Sequence, residues 1–492
     1  MYSVLQCDSL ILIAVMSHRR KFHQTVLGLA GFFAFGKTGS GFGKTGKSTD
    51  IRVVEASCET ANVHYRSPLK IAGRVITDMM ILNVRAKIES RNGKIAEGFG
   101  SMSVGNIWAW RGNTTAPDKT LEAMLHFSKS IADKAAGCGL SGHPLEWTYD
   151  YAKTYDAVAA ETVKTLDIKE AMPPLAQVVM ASPLDMAVFD AYGKMLGANT
   201  YNLLSKEFCN RDLSYYLNDD FKGEYLDQYT LRVPKKQMPL YVLAGSTDPL
   251  TSGEVKDPIG DGLPEHLEDW ILHSGATHIM IKMLGDDIDW DVNRVLAVNK
   301  VTEAVQAKRG CTEWFYCVDF NEKCGDVQYL LDFFDRVKRG SPAAFERLQF
   351  VEQPTHRDLR AFPNRLHAAS KIKPILADES IVNFESLQDS RKMGYSGVML
   401  KSCKGQAESL LTGAAAQKYK LFLCVGDLTC SGAAFLQSAA LAARIPTVTS
   451  VTGVARQLCP KANVPWAEQY PSSFTVKDGT VNLSSLDGHG LY

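Results

Sequence analysis

His278-Ile279-Met280-Ile281-Lys282, Trp314-Phe315-Tyr316-Cys317-Val318-Asp319, Leu348-Gln349-Phe350-Val351-Glu352, Pro374-Ile375-Leu376-Ala377-Asp378 and Gly397-Val398-Met399-Leu400-Lys401 are five short apolar runs, each ending on a charged residue. Their last residues follow one another at steps of 37, 33, 26 and 23 positions, the length of a strand, a helix and two loops. Taken singly, each has an ordinary explanation, since a strand-terminal Asp caps the next helix and a strand-terminal Lys reaches for water. Five in phase, in the order Lys, Asp, Glu, Asp, Lys, point instead to one cavity. Parallel strands of a closed barrel present all their carboxyl ends to the same face. Three carboxylates meeting there form a hard, oxygen-rich site suited to Mg²⁺, with a lysine on either side.

Working outward, Met238 to Gly245 reads as a strand before the five, and Leu421 to Asp427 and Thr447 to Val451 as two strands after them. Helical stretches at Pro264 to Ser274, Asp326 to Arg339, Gln406 to Tyr419 and Ser431 to Arg444 separate most of these strands. The predicted fold class is α/β, a (β/α)₈ TIM-like barrel over residues 239–455. An α+β capping domain with a linking helix is expected over residues 51–205. Within it, strands from Ile76 to Glu89 and from Lys94 to Val104 meet at Arg91-Asn92-Gly93, a tight-hairpin signal. Helices are predicted at about 118–135, 150–168 and 182–205, the last starting at Ser182-Pro183 as cap and first-turn proline. The polar, tyrosine-rich stretch 206–238 is read as an insertion or second lid, and 456–492 as a segment returning to the cap.

With 492 residues, 45% of them hydrophobic, the chain can bury a large core. Its formal net charge is zero, which argues against a nucleic-acid or membrane surface. Eleven cysteines show no paired zinc spacing, and Cys317 and Cys424 sit in apolar runs as buried thiols. Near the start, Arg19-Arg20-Lys21-Phe22 precedes the apolar run Val26 to Phe35, which is too short to span a bilayer. This resembles a twin-arginine export signal beginning near Met16, although no Ala-x-Ala site follows; a cytoplasmic protein with a chance arginine pair is the alternative. Gly41 to Ser48 fits the phosphate-loop pattern letter for letter, yet it leads into the strand-like Ile51 to Glu55, so it is read as a flexible linker.

The set of strand-end residues resembles the enolase superfamily, and its paired lysines resemble the muconate-lactonising branch of the mandelate racemase/muconate lactonizing family. Lys282, Asp319-Phe320-Asn321, Glu352-Gln353-Pro354, Ala377-Asp378-Glu379-Ser380 and Lys401 carry the likeness, which extends to Tyr65 to Leu69, Leu184 to Asp190 and Asp487 to Gly490. The resemblance implies that Asp319, Glu352 and Asp378 bind Mg²⁺ and that Lys282 and Lys401 are acid and base on opposite faces of a small carboxylate substrate. It further implies abstraction of the proton α to that carboxylate, and assembly into oligomers. Two departures stand out. The Lys-x-Lys common at the second strand is here Met280-Ile281-Lys282, and no histidine lies between His367 and His489. The second disfavours the histidine chemistry of acid-sugar dehydratases and favours a racemase, epimerase or cycloisomerase. A non-catalytic carboxylate-binding barrel and a nucleotide hydrolase using Gly41 to Ser48 are the competing readings. Asn321, Asp427, Trp108 and Trp110 are candidate substrate contacts.

Overall fold

The structure, a computed structural model, describes residues 42, 46–71, 74–111 and 114–492. The arginine-pair leader lies outside them, as does most of the phosphate-loop-like stretch. The described end of that stretch runs directly into a strand, and Lys47 donates to the Cys209 carbonyl at 2.7 Å.

Strands β1 (Ile51–Ile71), β2 (Arg74–Ser90) and β3 (Ile95–Ser103) form an antiparallel sheet in the order β1-β2-β3. The turn between β2 and β3 falls at Arg91-Asn92-Gly93, where Gly93 has φ 81°, the left-handed geometry that the sequence signalled. Helices Pro117–Ala135, Pro144–Ala152, Tyr155–Thr165 and Pro174–Leu196 complete this module. The stretch read as one helix over 150–168 is thus two, broken at Lys153-Thr154. The expected start at Ser182-Pro183 is corrected as well: the helix begins at Pro174, and Pro183 lies inside it. Pro173-Pro174 supplies the first-turn proline instead, and the longer helix is apolar on nearly every face because it is buried on nearly every face. β3 packs on it backbone to backbone: a Cβ on Gly98 would stand 2.0 Å from the Ala187 carbonyl oxygen.

The barrel follows. Its strands are β4 (Gln237–Ala244), β5 (His278–Lys282), β6 (Phe315–Asp319), β7 (Leu348–Glu352), β8 (Ile375–Ala377), β9 (Gly397–Lys401), β10 (Phe422–Gly426) and β11 (Val451–Thr452). Each pairs in parallel with the next, and β11 pairs with β4 to close the cylinder. The eighth strand is the one the sequence misplaced, by a few residues, and it is only two residues long. A closing hairpin, β12 (Val476–Lys477) and β13 (Thr480–Asn482), adds antiparallel to the start of β4.

The barrel interior is filled by Tyr241, Leu243, Met280, Cys317, Phe350, Leu376, Met399 and Cys424. Cys317 and Cys424 are fully buried, as expected. Leu69, from the far end of β1, joins the same cluster and so caps the barrel mouth. Arg66 fixes that end of the hairpin through paired bonds to Asp261, both 2.7 Å, in the loop after β4. Among the described residues no helix is long and apolar enough to cross a membrane.

Candidate active site

Strand parity builds the site. Side chains alternate in direction along a strand, so a residue two positions beyond an inward-facing one also faces inward. Met280, Cys317, Phe350, Leu376, Met399 and Cys424 are core residues; two positions on stand Lys282, Asp319, Glu352, Asp378, Lys401 and Gly426. Register completes the placement: Lys282 is paired with Asp319, Asp319 with Glu352, and Lys401 with Gly426.

The five predicted residues are therefore brought together, four of them buried and Lys282 nearly so. Lys282 pairs with Asp319 and donates to Asn321 Oδ1 at 3.2 Å. Lys401 Nζ lies 2.6 Å from Asp378 Oδ2 and 3.8 Å from Glu352 Oε1. A third ammonium, Lys404, reaches Asp378 Oδ1 at 3.0 Å. Burial works against charge on Lys401, but Asp378 and Glu352 outweigh it and hold its pKa well above the usual lysine range; Asp319 and Glu352 do the same for Lys282 more mildly. Glu352 is pushed far up, by burial first and then by the Asp319 charge. For Asp378 burial is overcome by Lys401 and Lys404, and its pKa falls to about 2.

As the side chains lie, no group of three or more His, Cys, Asp or Glu among the described residues is close enough to hold a metal ion. The reason is visible in the ion pairs: Asp319 leans to Lys282, and Asp378 to Lys401 and Lys404. The donor set still fits a hard divalent cation in kind. It is all oxygen, Glu352 Oε2 is buried without a hydrogen-bond partner, and Asp378 Oδ2 has only its ion pair with Lys401. Asp319, Glu352, Asp378 and the adjacent Glu379 place four buried carboxylates against three lysines. Burial and the Asp378 charge lift Glu379 to about 7.

Backbone strain gathers here too. Asn321, Glu322 and Gln353, just past β6 and β7, have φ of 43°, 72° and 29°, a region that non-glycine residues rarely occupy. Gln353 uses its strained position to lock the turn after β8, accepting from the Asp378 and Ser380 amides and donating to Ser380 and Tyr395. Glu322 receives both Arg111 (2.8 Å) and Arg357 (2.6 Å). Arg357 in turn donates to the Trp108 carbonyl at 2.9 Å, which clamps the loop after β3 onto the barrel.

That clamp sets Trp108 over the site. Its Nε1 donates to Glu379 at 2.9 Å, and Lys401 Nζ sits 4.7 Å from its ring centroid. The cavity between the lysines, about 60 Å³, is lined by Trp108, Lys282, Asn321, Glu352, Lys401 and Asp427, with apolar walls from Leu69, Leu243, Met280 and Val454. Of the candidate substrate contacts, Asn321, Asp427 and Trp108 reach it. Trp110 does not: it is buried in the apolar core. Asp427 already accepts from Thr452 Oγ1 and the Val454 amide. Sequence reasoning missed Lys404, Glu322, Arg357 and the plug formed by Leu69. Only Lys404 had a local signal, a second lysine three positions after Lys401.

Residues 262–492 match the family described as Enolase C-terminal domain-like. Among solved structures, the chain is similar to a muconate lactonizing enzyme from Pseudomonas fluorescens, complexed with muconolactone (19% identity, TM-score 0.55, covering 89% of this chain and 95% of that one). It is similar also to a dipeptide epimerase from Enterococcus faecalis, complexed with Mg and a dipeptide (16%, 0.56, 89% and 99%). A third is an enolase from Bradyrhizobium, complexed with magnesium and mandelic acid (15%, 0.56, 90% and 96%). At these identities the likeness establishes the fold: the closed barrel with an N-terminal antiparallel module. No curated protein matches the chain in sequence.

Proposed function

We propose that this chain is a Mg²⁺-dependent enzyme of the enolase superfamily that removes the proton α to a substrate carboxylate and returns one elsewhere, as a racemase, epimerase or cycloisomerase. The observation that carries the reading is the pair of lysines on opposite walls of one cavity, with Asp319, Glu352 and Asp378 on the strand ends between them. Asp319, Glu352 and Asp378 would hold the ion. Bound there, a divalent cation stabilises the second negative charge that develops on the substrate carboxylate as its α-proton leaves.

The chain's own residues do the rest. Lys401 or Lys282 takes the proton on one face, and the other lysine delivers one on the opposite face. The carboxylates that now hold both lysines protonated are the ones a cation would engage, so binding it removes what raises their pKa. Trp108 and Leu69 wall the cavity of about 60 Å³ and shield the reacting centre from bulk solvent. Asp427, where the dehydratase branch has a histidine, is engaged with Thr452 and Val454, which supports isomerisation by two lysines.

The test is solvent deuterium incorporation at the α-carbon across a set of dipeptides, hydroxy acids and sugar acids. Exchange is expected with Mg²⁺, lost on chelation, and lost in Lys282→Ala and in Lys401→Ala; exchange that persists in both variants overturns the assignment. In parallel, saturating Mg²⁺ is expected to stabilise the native protein by about 2.7 kcal/mol at a hundredfold excess over Kd. Glu352→Gln should abolish that gain.

A further inference from the structure

A second cavity, of about 570 Å³ against about 60 Å³ at the lysine site, opens where helices of the N-terminal module meet helices of the barrel. Helices Pro144–Ala152, Tyr155–Thr165 and Pro174–Leu196 line one side, and Phe384–Lys392 and Gln406–Lys418 the other. Two carboxylates stand in its wall without an ion pair among the described residues. Asp185 is 4% exposed and takes only neutral donors, Thr148 Oγ1 at 3.1 Å and the Ala407 amide at 2.9 Å. Glu408 accepts only the Thr412 hydroxyl, at 3.1 Å. The one lysine in the inner wall, Lys404, spends its ammonium on Asp378 in the barrel mouth.

An independent feature points to a missing donor or acceptor. Tyr155 is 8% exposed, lines the cavity, feels the Asp185 charge, and its hydroxyl makes no hydrogen bond among the described residues. Aromatic faces from Tyr149 and Phe384 complete the wall. Tyr149 already has an ammonium against its face, that of Lys153 at the rim, 5.0 Å from the ring centroid. A buried carboxylate without a counter-charge is costly, and the cost falls on binding a cation that also donates hydrogen bonds. Burial pushes Asp185 and Glu408 each up to about 7, against the pull of their hydrogen-bond donors and, at Glu408, of the Lys404 charge.

We propose that this cavity is a second ligand site, separate from the lysine pair, that binds a small organic ammonium: its charged nitrogen on Glu408 and Asp185, its donor hydrogens shared with the Tyr155 hydroxyl, and its carbon chain against Tyr149 and Phe384. Nothing in this depends on the proton-transfer assignment, so the two stand or fall separately.

The experiment is calorimetric titration of the full chain with butylamine and putrescine, with butanol and butyrate as neutral and acidic counterparts. Both amines should bind, and the alcohol and the acid should not. In Glu408→Gln the amines should bind about tenfold more weakly, the loss of one charge-assisted contact, and Tyr155→Phe should weaken them less. Asp185 also caps the helix Gln406–Lys418, so its replacement is not used as evidence. Failure of either amine to bind at millimolar concentration overturns the proposal. So does equal binding of butanol, or amine binding unchanged in Glu408→Gln, which would place the amine on other carboxylates.

Discussion

Lys282 and Lys401 end strands on opposite sides of one barrel and face one cavity, yet they are held in different ways. Lys282 has a side chain 17% exposed and leans on a single carboxylate, Asp319, with Asn321 as its other contact. Lys401 is 7% exposed and sits among Asp378, Glu352 and the Trp108 ring, and Asp378 is anchored from its far side by Lys404. The comparison separates a lysine whose position is fixed several times over from one free to follow its partner. In an enzyme that takes a proton on one face and returns it on the other, the two walls need the same chemistry but not the same rigidity.

The largest test of this pairing is chemical. Lys282→Met and Lys401→Met should each lower α-proton exchange by about 10²- to 10⁴-fold, the usual worth of a positioned acid or base. Retained exchange in either one would mean that the cavity has one working wall. Stability should then tell the walls apart. Lys282→Met leaves Asp319 buried without an ammonium and should cost about 3 kcal/mol in urea denaturation, whereas Lys401→Met leaves Asp378 still paired with Lys404 and should cost clearly less. Equal losses would erase the distinction.

Acid sharpens it further. The folded pKa of Asp378, about 2, lies below its ordinary value of 3.8, so the stability it confers is fully present above about pH 4 and is lost as pH falls toward 2. Asp378→Asn should flatten that acid limb in a pH series of denaturation curves; an unchanged limb would remove Lys401 and Lys404 as its cause. The smallest effect belongs to Trp108→Phe, which keeps a ring over Lys401 but deletes the bond to Glu379. It should cost about 1 kcal/mol, with a larger change in KM than in melting temperature.

The barrel could be read from the chain because burial and parity both write themselves into strands. His278–Lys282, Leu348–Glu352 and Gly397–Lys401 were delimited to the residue, since each is a buried run closed by a charge. The start of Pro174–Leu196 was not, because a helix buried all round has no polar face to mark its beginning, and Ser182-Pro183 mimics a start in the middle of it. The strand Val451–Thr452 is too short to leave a pattern. At the site, the strand-end residues were legible and their partners were not. Glu322, Arg357 and Leu69 come from a strained turn, a loop and a distant hairpin, and only tertiary structure unites them. Trp110 shares with Trp108 a loop of small, aromatic and cationic residues that suggests a lid, and the fold buries it in the core.

Alternation along the strands has a consequence for how such a protein can change over generations. Inserting or deleting a single residue inside β5, β6, β7 or β9 would turn the terminal charge from the lumen to the helix-covered outside, disarming the centre and burying an ion among hydrocarbons at once. The loops that begin one position later carry no such penalty. Variation in what the protein recognises is therefore channelled into the segments after the strands, while the reactive groups stay locked to the frame that aims them.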